Sequence, residues 1–256
     1  MITPKQEEAA RFLSMARKAG FPGRRLPETC RPADIESATV IQRRVGVLLG
    51  QDIGGWKCSM PSEAKPAPAA PIFTSTIVWK APGKVTTVAP MIKIEPEIAF
   101  VVGRDLNARE TPYTEAEIKA VIGSTRLALE VLGTRYTDPD SVSWPEMIAD
   151  SIQNQGLFVG PEFPGGMNAS LEKFPVTVHA QGDVLCERDG HHNDGHPLRP
   201  LYWLANFLAA RGEGLRVGQV VTTGSYAGAI EVPLGFALTV TFGDLGTIKA
   251  EFLRAF

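Results

Sequence analysis

Between residues 91 and 106 the chain reads MIKIEPEIAFVVGRDL, and its apolar and polar positions alternate. Ile92, Ile94, Ile98, Phe100 and Val102 share one parity, while Lys93, Glu95 and Glu97 share the other. Successive side chains of a strand point to opposite faces, so the pattern predicts a strand with one apolar face and one face bearing a lysine and two acids. Similar β-type segments fill the chain from about residue 72 onward: IFTSTIVW, KVTTV, TRLALEVL, GLFVG, FPVTVHA, QVVTTGS, FALTVTF and TIKAEFL. Helical periodicity covers residues 3–19 and 34–49, where Asp34 is placed to cap the start and Gly50 to stop the end. A capping box, TEAE, starts a helix at Thr114 with Glu117 as its partner. Another helix is expected near 144–152, and another in PLRPLYWLANFLAARG, where Leu201, Leu204, Phe207 and Leu208 form a stripe and Gly212 ends it. PSEAKPAPAAP, residues 61–71, cannot hold a regular ladder and reads as a surface loop. Strands with few helices between them predict an antiparallel or mixed sheet rather than a doubly wound one.

Composition narrows the class. With 256 residues, 44% hydrophobic and 21% charged, the chain can bury a sizeable core. The division expected is a small helical region over residues 1–60 and a β-rich domain over 61–256, joined as one compact unit. A formal net charge of −2 gives no electrostatic case for nucleic acid or an anionic membrane. No apolar run has the length of a membrane span, and the first helix is charged and amphipathic rather than a signal peptide. Cys30, Cys58 and Cys186 form no CxxC pair, which disfavours structural zinc and suits a reducing compartment, so the expected location is the cytoplasm.

The candidate chemistry begins with Glu95 and Glu97. Two residues apart on a strand, their roots lie roughly 6.5–7 Å from each other, close enough for both carboxylates to converge on one cation. A solvated face balanced by Lys93 is the plainer alternative. Glu130, in RLALEVLGTRY, is flanked by Leu129 and Val131 and is expensive to bury unless paired. It is either a third carboxylate for the same cation or the partner of Arg126 or Arg135. Three glutamates would make an oxygen-only shell suited to Mg²⁺ or Mn²⁺. Lys57, in GGWKC, could lie beside such a cation with its pKa lowered, or could simply be exposed. In VVTTGSYAG the hydroxyls of Thr223 and Ser225, with nearby backbone amides, could hold a carboxylate, or the segment could be an ordinary hairpin. His191, His192 and His196 fall in a Gly/Asn/Asp-rich stretch that reads as an exposed loop, which disfavours a metal role. Cys58, next to Lys57, could be a reactive thiol, but a half-buried, unreactive cysteine is the favoured reading.

Four ordered signatures carry a resemblance: GWK, IEPEIAFVVGRDL, LALEVLGTRY, and GHPLRPLYWLANFLAARG followed by VGQVVTTGS. Together they resemble the 2-keto-4-pentenoate hydratase and 4-oxalocrotonate decarboxylase group of the fumarylacetoacetate hydrolase superfamily, from about residue 35 to the C-terminus. The resemblance implies an α+β, β-rich fold: a mixed-sheet roll or sandwich with a helical N-terminal region, assembled as a homo-oligomer. It implies Glu95, Glu97 and Glu130 as ligands of Mg²⁺ (or Mn²⁺), Lys57 as general acid/base, and Thr223 and Ser225 beside the carboxylate of a 2-oxo acid substrate. Typical hydratases carry an aspartate in a segment like GxLFADM. Here the segment is APIFTSTIV, and Ser75 stands at that catalytic position. The implied reaction is hydration of a 2-hydroxy-2,4-dienoate to a 4-hydroxy-2-oxo acid in the catabolism of aromatic compounds. The alternatives are decarboxylation of a 4-oxalocrotonate-like diacid, or a non-catalytic 2-oxo-acid-binding subunit of a related partner enzyme. C–C hydrolysis is disfavoured, because no histidine precedes His179 to supply the histidine–glutamate pair such hydrolases employ.

Overall fold

The structure, a computed structural model, describes residues 2–255. Among these residues five α-helices form: α1 Pro4–Ala19, α2 Ile35–Leu49, α3 Glu115–Val121, α4 Trp144–Ala149 and α5 Leu198–Ala209. Asp34 caps α2 by accepting from the Ser37 amide at 2.8 Å, and Gly50 ends it with φ 65°. Thr114 and Glu117 close the box on α3. Ala9, Ala10 and Leu13 of α1 pack with Ala38, Ile41 and Val45 of α2 and Ile148 of α4, a helical core of its own.

Among the described residues thirteen strands make two sheets. They are β1 Ile53–Cys58, β2 Ala69–Phe73, β3 Ile77–Val78, β4 Gly83–Val85, β5 Met91–Val102, β6 Ile122–Leu132, β7 Asn154–Glu162, β8 Lys173–Ala180, β9 Asp183–His191, β10 Val220–Thr222, β11 Ile230–Pro233, β12 Ala237–Phe242 and β13 Gly246–Arg254. The larger sheet runs β2-β1-β10-β5-β6-β7-β3, with β11 also on β5, and the smaller runs β4-β13-β12-β8-β9. Both are mixed: β1–β10, β3–β7 and β4–β13 pair in parallel, and their other pairings are antiparallel. Parallel β1 and β10 approach closely at Gly55, where a Cβ would fall 2.2 Å from the Val220 carbonyl oxygen. A glycine is therefore required before the Trp–Lys pair.

The two faces of β5 do different work. Ile94, Ile98, Phe100 and Val102, with Leu127, Leu129 and Val131 of β6, join the large core that also takes in Val240 and Ile248 of the second sheet and Leu201, Leu204 and Leu208 of α5. Burying apolar surface stabilises by roughly 25 cal/mol per Å², and this face contributes to the sandwich in that way. The opposite face carries the acids within a smaller apolar patch of Ile72, Ala99, Ala128, Leu157, Val159 and Val220.

Several local expectations are corrected. The stretch 72–79 is not one strand, because a 3-10 turn over Thr74–Thr76 separates β2 from β3. The loop after β1 ends at Ala69, and Pro71 is tolerated within β2 because that strand lies at the end of the sheet order. Residues 187–191, within a stretch read as loop, belong to β9, a mostly exposed strand whose polar residues face solvent. The helix near 144–152 stops at Ala149 and gives way to a left-handed turn. β1 lies inside the large sheet between β2 and β10, so residues 53–58 are part of the β-rich body rather than of the helical region.

Candidate functional site

Strand register gathers the acids. β5 and β6 pair antiparallel with Glu95 directly opposite Glu130 and Glu97 opposite Ala128. Cross-strand partners point to the same face, so the three carboxylates share one side of the sheet, and an oxygen from each lies within 4.8 Å of the others. Lys57 reaches the group from β1, which is joined to β5 through β10 by the registers Lys57–Thr222 and Thr222–Ala99. Its Nζ stands 2.7 Å from Glu130 Oε1.

Like charges set directly opposite each other on a sheet destabilise it, and here they are buried as well. Glu130 is 0% exposed and Glu97 2%. Burial, then Glu130 and Glu95 nearby, hold the Glu97 carboxyl well above the usual range. Burial, then Glu130, raise Glu95. For Lys57, burial opposes the charge, but Glu130, Glu95 and Glu97 overcome it and raise the ammonium pKa. Three carboxylates surround this amine, and their field favours its proton. Three carboxylates against one ammonium leave an uncompensated buried negative charge. Glu130 Oε2 is buried with no hydrogen-bond partner. Hard oxygen donors, excess negative charge and an orphaned carboxylate oxygen are what a divalent cation such as Mg²⁺ or Mn²⁺ requires, so the residues present fit such an ion.

The surroundings orient these groups. Asn154 Nδ2 donates to Glu130 Oε1 at 2.9 Å. The Gly224 amide donates to Glu97 Oε2 at 2.9 Å, from a glycine whose φ of 125° suits no other residue. Lys57 also donates to the Ile152 carbonyl at 3.2 Å. Ile152 belongs to a run of three non-glycine residues with left-handed backbone: Ser151, Ile152 and Gln153 at φ 55°, 49° and 60°. Such conformations are costly for side-chain-bearing residues, most of all a β-branched one, and persist where the surroundings impose them. Asn154, Gly224 and Ile152 were not legible in advance, since they act through backbone or an amide and no spacing marks them.

The structure thus brings Lys57, Glu95, Glu97 and Glu130 together and removes the plainer alternatives for the acids. Lys93 is exposed, Arg126 pairs with Glu162, and Arg135 pairs with Asp150. Thr223 is fully buried, and its Oγ1 has no partner. Ser225 Oγ is engaged within its own turn, near the Pro96 and Gly228 carbonyls and accepting from the Ala227 amide at 3.3 Å. Ser75 is exposed in the 3-10 turn after β2 and lines a cavity that none of the three acids lines. His192 is corrected from solvated to buried, at 3% exposure, against Tyr226 and beside Gly224. Cys58 is buried rather than half-buried, and burial pushes its thiol pKa up, as an unreactive cysteine requires.

No family model matches the chain. Over 266 aligned residues it is 27% identical to 2-keto-4-pentenoate hydratase of Paraburkholderia xenovorans, covering 98% of this chain and 96% of that protein. Its fold matches 4-oxalocrotonate decarboxylase from Pseudomonas putida G7, solved with magnesium and adipate, over 99% of both chains with a TM-score of 0.80 at 23% identity. A Yersinia pestis protein assigned to the fumarylacetoacetate hydrolase family matches with a TM-score of 0.54 at 12% identity, over 79% of this chain and 94% of that one. The mixed-sheet sandwich is therefore of the fumarylacetoacetate hydrolase type. The chain is similar along 98% of its length to a 2-keto-4-pentenoate hydratase, and it shares its fold with a 4-oxalocrotonate decarboxylase.

Proposed function

We propose that this chain is a divalent-metal-dependent lyase that adds water to a 2-hydroxy-2,4-dienoate, giving a 4-hydroxy-2-oxo acid, in the breakdown of aromatic compounds. The observation that carries the reading is the buried group of three carboxylates around a single lysine, on a chain related along its whole length to such enzymes. Glu95, Glu97 and Glu130 would hold Mg²⁺ or Mn²⁺. The ion supplies Lewis-acid polarisation of a 2-oxo acid head, favouring negative charge on the C2 oxygen. Lys57, held by Glu130 and the Ile152 carbonyl, moves protons at the substrate carbons. The C2 hydroxyl gives up its proton and C5 gains one as the dienol becomes an unsaturated 2-oxo acid. The hydroxyl of a water then joins C4, and the water's other proton goes to C3. Asn154 and the Gly224 amide keep two carboxylates in orientation, and the unpartnered Thr223 hydroxyl is free to bond the substrate carboxylate.

The test is direct. Purified protein with Mg²⁺ should deplete the ultraviolet absorbance of a dienol, and Glu97→Gln should abolish this; no depletion across a panel of 2-hydroxy-2,4-dienoates rejects the hydratase. The second reading, decarboxylation of a 4-oxalocrotonate-like diacid, is favoured by the full-length fold match to such a decarboxylase, and release of carbon dioxide would select it. Turnover by the isolated chain rules out a non-catalytic subunit. The reading includes a cytoplasmic homo-oligomer, alone or beside a related partner enzyme; no described helix is long and apolar enough to cross a membrane. Sedimentation of the purified chain as a monomer at working concentration would remove the homo-oligomer.

A further inference from the structure

His192 is a buried histidine with one ring nitrogen satisfied and the other not. Its backbone is fixed on both sides: the His192 amide donates to the Glu172 carbonyl at 2.9 Å, and the Gly195 amide donates to the His192 carbonyl at 2.9 Å. In the ring, Nδ1 accepts from the Asp194 amide at 3.2 Å, which puts the proton on Nε2. Burial holds the imidazole pKa below its ordinary 6.5, so the ring is neutral at pH 7 and Nε2 is a donor. Nε2 is buried and has no hydrogen-bond partner. An unmade bond from a buried donor is costly and calls for a reason.

The orphaned nitrogen faces the turn after β10. A Cβ built on Gly224 would meet Nε2 at 3.5 Å and Cε1 at 3.7 Å, so the ring lies against the Cα of that glycine. The backbone of Thr223 favours the ring's proton, as a carbonyl in front of an N–H does. Tyr226 sets the plane of the ring, edge to face at 5.3 Å and 71°, and its own hydroxyl donates to the Leu171 carbonyl at 2.6 Å. The same turn is what touches Glu97. The Gly224 amide donates to Glu97 Oε2 at 2.9 Å, and the Tyr226 amide donates to the carbonyl of Pro96 at 3.0 Å. The Thr223 carbonyl and the Gly224 N–H are the two ends of one planar peptide group, so whatever turns one end turns the other. The histidine loop also reaches the strand of the lysine, because Asp194 Oδ2 accepts from the Met60 amide at 3.0 Å, just beyond the end of β1.

We propose that His192 is a positioning residue for Glu97: its Nε2–H is directed at the Thr223 carbonyl, so that the Thr223–Gly224 peptide group keeps its N–H on the carboxylate. This rests on the reading of Glu95, Glu97 and Glu130 as the metal site. A carboxylate oriented before the ion arrives loses less freedom on binding it, which is how a group behind a ligand raises metal affinity. His192 acts through the backbone and touches neither ion nor substrate.

Calorimetry of the metal-free protein with Mg²⁺ tests it without turnover. His192→Leu removes the donor and keeps an apolar filling, and Mg²⁺ affinity should fall by about tenfold or more, as when other groups behind a metal ligand are lost. His192→Gln carries an N–H at the reach of Nε2 and should restore most of that affinity. His192→Asn, whose amide ends where Nδ1 lies, should not. Metal-free melting temperatures are read alongside, and the loss of affinity should follow the donor rather than the melting temperature. Native affinity in His192→Leu overturns the proposal. So does an equal loss in all the variants, which would make the ring a packing element only. If His192→Leu does not fold, the difference between the Gln and Asn variants decides by the same rule. Native protein that binds neither Mg²⁺ nor Mn²⁺ removes the reading of the glutamate cluster and this proposal with it, whereas native binding with unchanged affinity in the variants removes the role of His192 alone.

Discussion

Two groups of buried charges lie close together in this molecule, and they are built on opposite plans. Beneath the helices, Glu146 is 1% exposed, yet its oxygens accept from Arg25 at 2.8 and 2.5 Å and from the Ser143 amide and hydroxyl. Burial works to raise its pKa, but Arg25 and Ser143 overcome it and the carboxyl lies below the usual range. Asp150, equally buried, is bonded through both oxygens to Arg135. In the sheet, Glu97 and Glu130 are as deeply buried, but they face each other and Glu95, with one lysine among them and one oxygen orphaned. Burial alone therefore does not separate a structural ion pair from a site. The balance of charge and the satisfaction of every oxygen do: the first group is complete, and the second has room for something positive.

That contrast can be broken from either side. The largest expected effect is at the complete group. Asp150→Asn strands Arg135 and leaves Arg17 without its nearest opposite charge, and removing one partner of a buried pair costs about 3–5 kcal/mol. Chemical denaturation should show a loss of that size, and a loss within 1 kcal/mol would mean the pair is not structural. At the incomplete group the sign reverses. Glu97→Gln removes a buried like charge, so the metal-free protein should melt no lower than native, while Mg²⁺ affinity falls by more than about 100-fold, beyond the effect of losing an outer-sphere partner. A clear drop in metal-free melting temperature would contradict a surplus of negative charge there. Asn154→Ala removes only an orienting amide, and Mg²⁺ affinity by calorimetry should fall by about 10–100-fold with Glu130 still in place.

The smallest effect is in pH. Glu95 and Glu97 have folded pKa values raised above the ordinary 4.5, by burial first and by Glu130 next. In the window between that ordinary value and their raised ones the folded state holds more protons than the unfolded state. The stability of the metal-free protein should therefore decline as pH rises through the window. Glu146, with its lowered pKa, acts in the opposite sense, but only as pH falls below its ordinary range. Saturating Mg²⁺ should flatten the decline, because the ion takes the place of the protons. Melting temperatures of the metal-free protein that climb across the same window would reject the assignment.

Much of this was legible in the chain. The caps of α2 and α3, the stripe on α5 and the alternation in β5 are local patterns, and each formed where the pattern pointed. So was the identity of the three acids, because a carboxylate between leucine and valine, or two of them on a strand that otherwise feeds the core, stands out against its surroundings. Less legible were β9, whose residues look like loop because almost all face water, and the burial of His192 at its end. The break between β2 and β3 was hidden because TST is as compatible with a strand as with a 3-10 turn.

The sequence by itself determined which residues could form a strand, which face of it would be apolar, and that Glu95 and Glu97 would point the same way, since these follow from the two-residue period of an extended chain. Only the tertiary structure decided that Glu130 stands across from Glu95, that Lys57 rather than Lys93 meets the acids, and that Arg17 donates to the Asn154 and Asp150 carbonyls. Those outcomes depend on inter-strand register and on helix docking against the sheet, interactions between residues distant in the chain. Their free energy is shared among many contacts, and no short stretch of sequence encodes it.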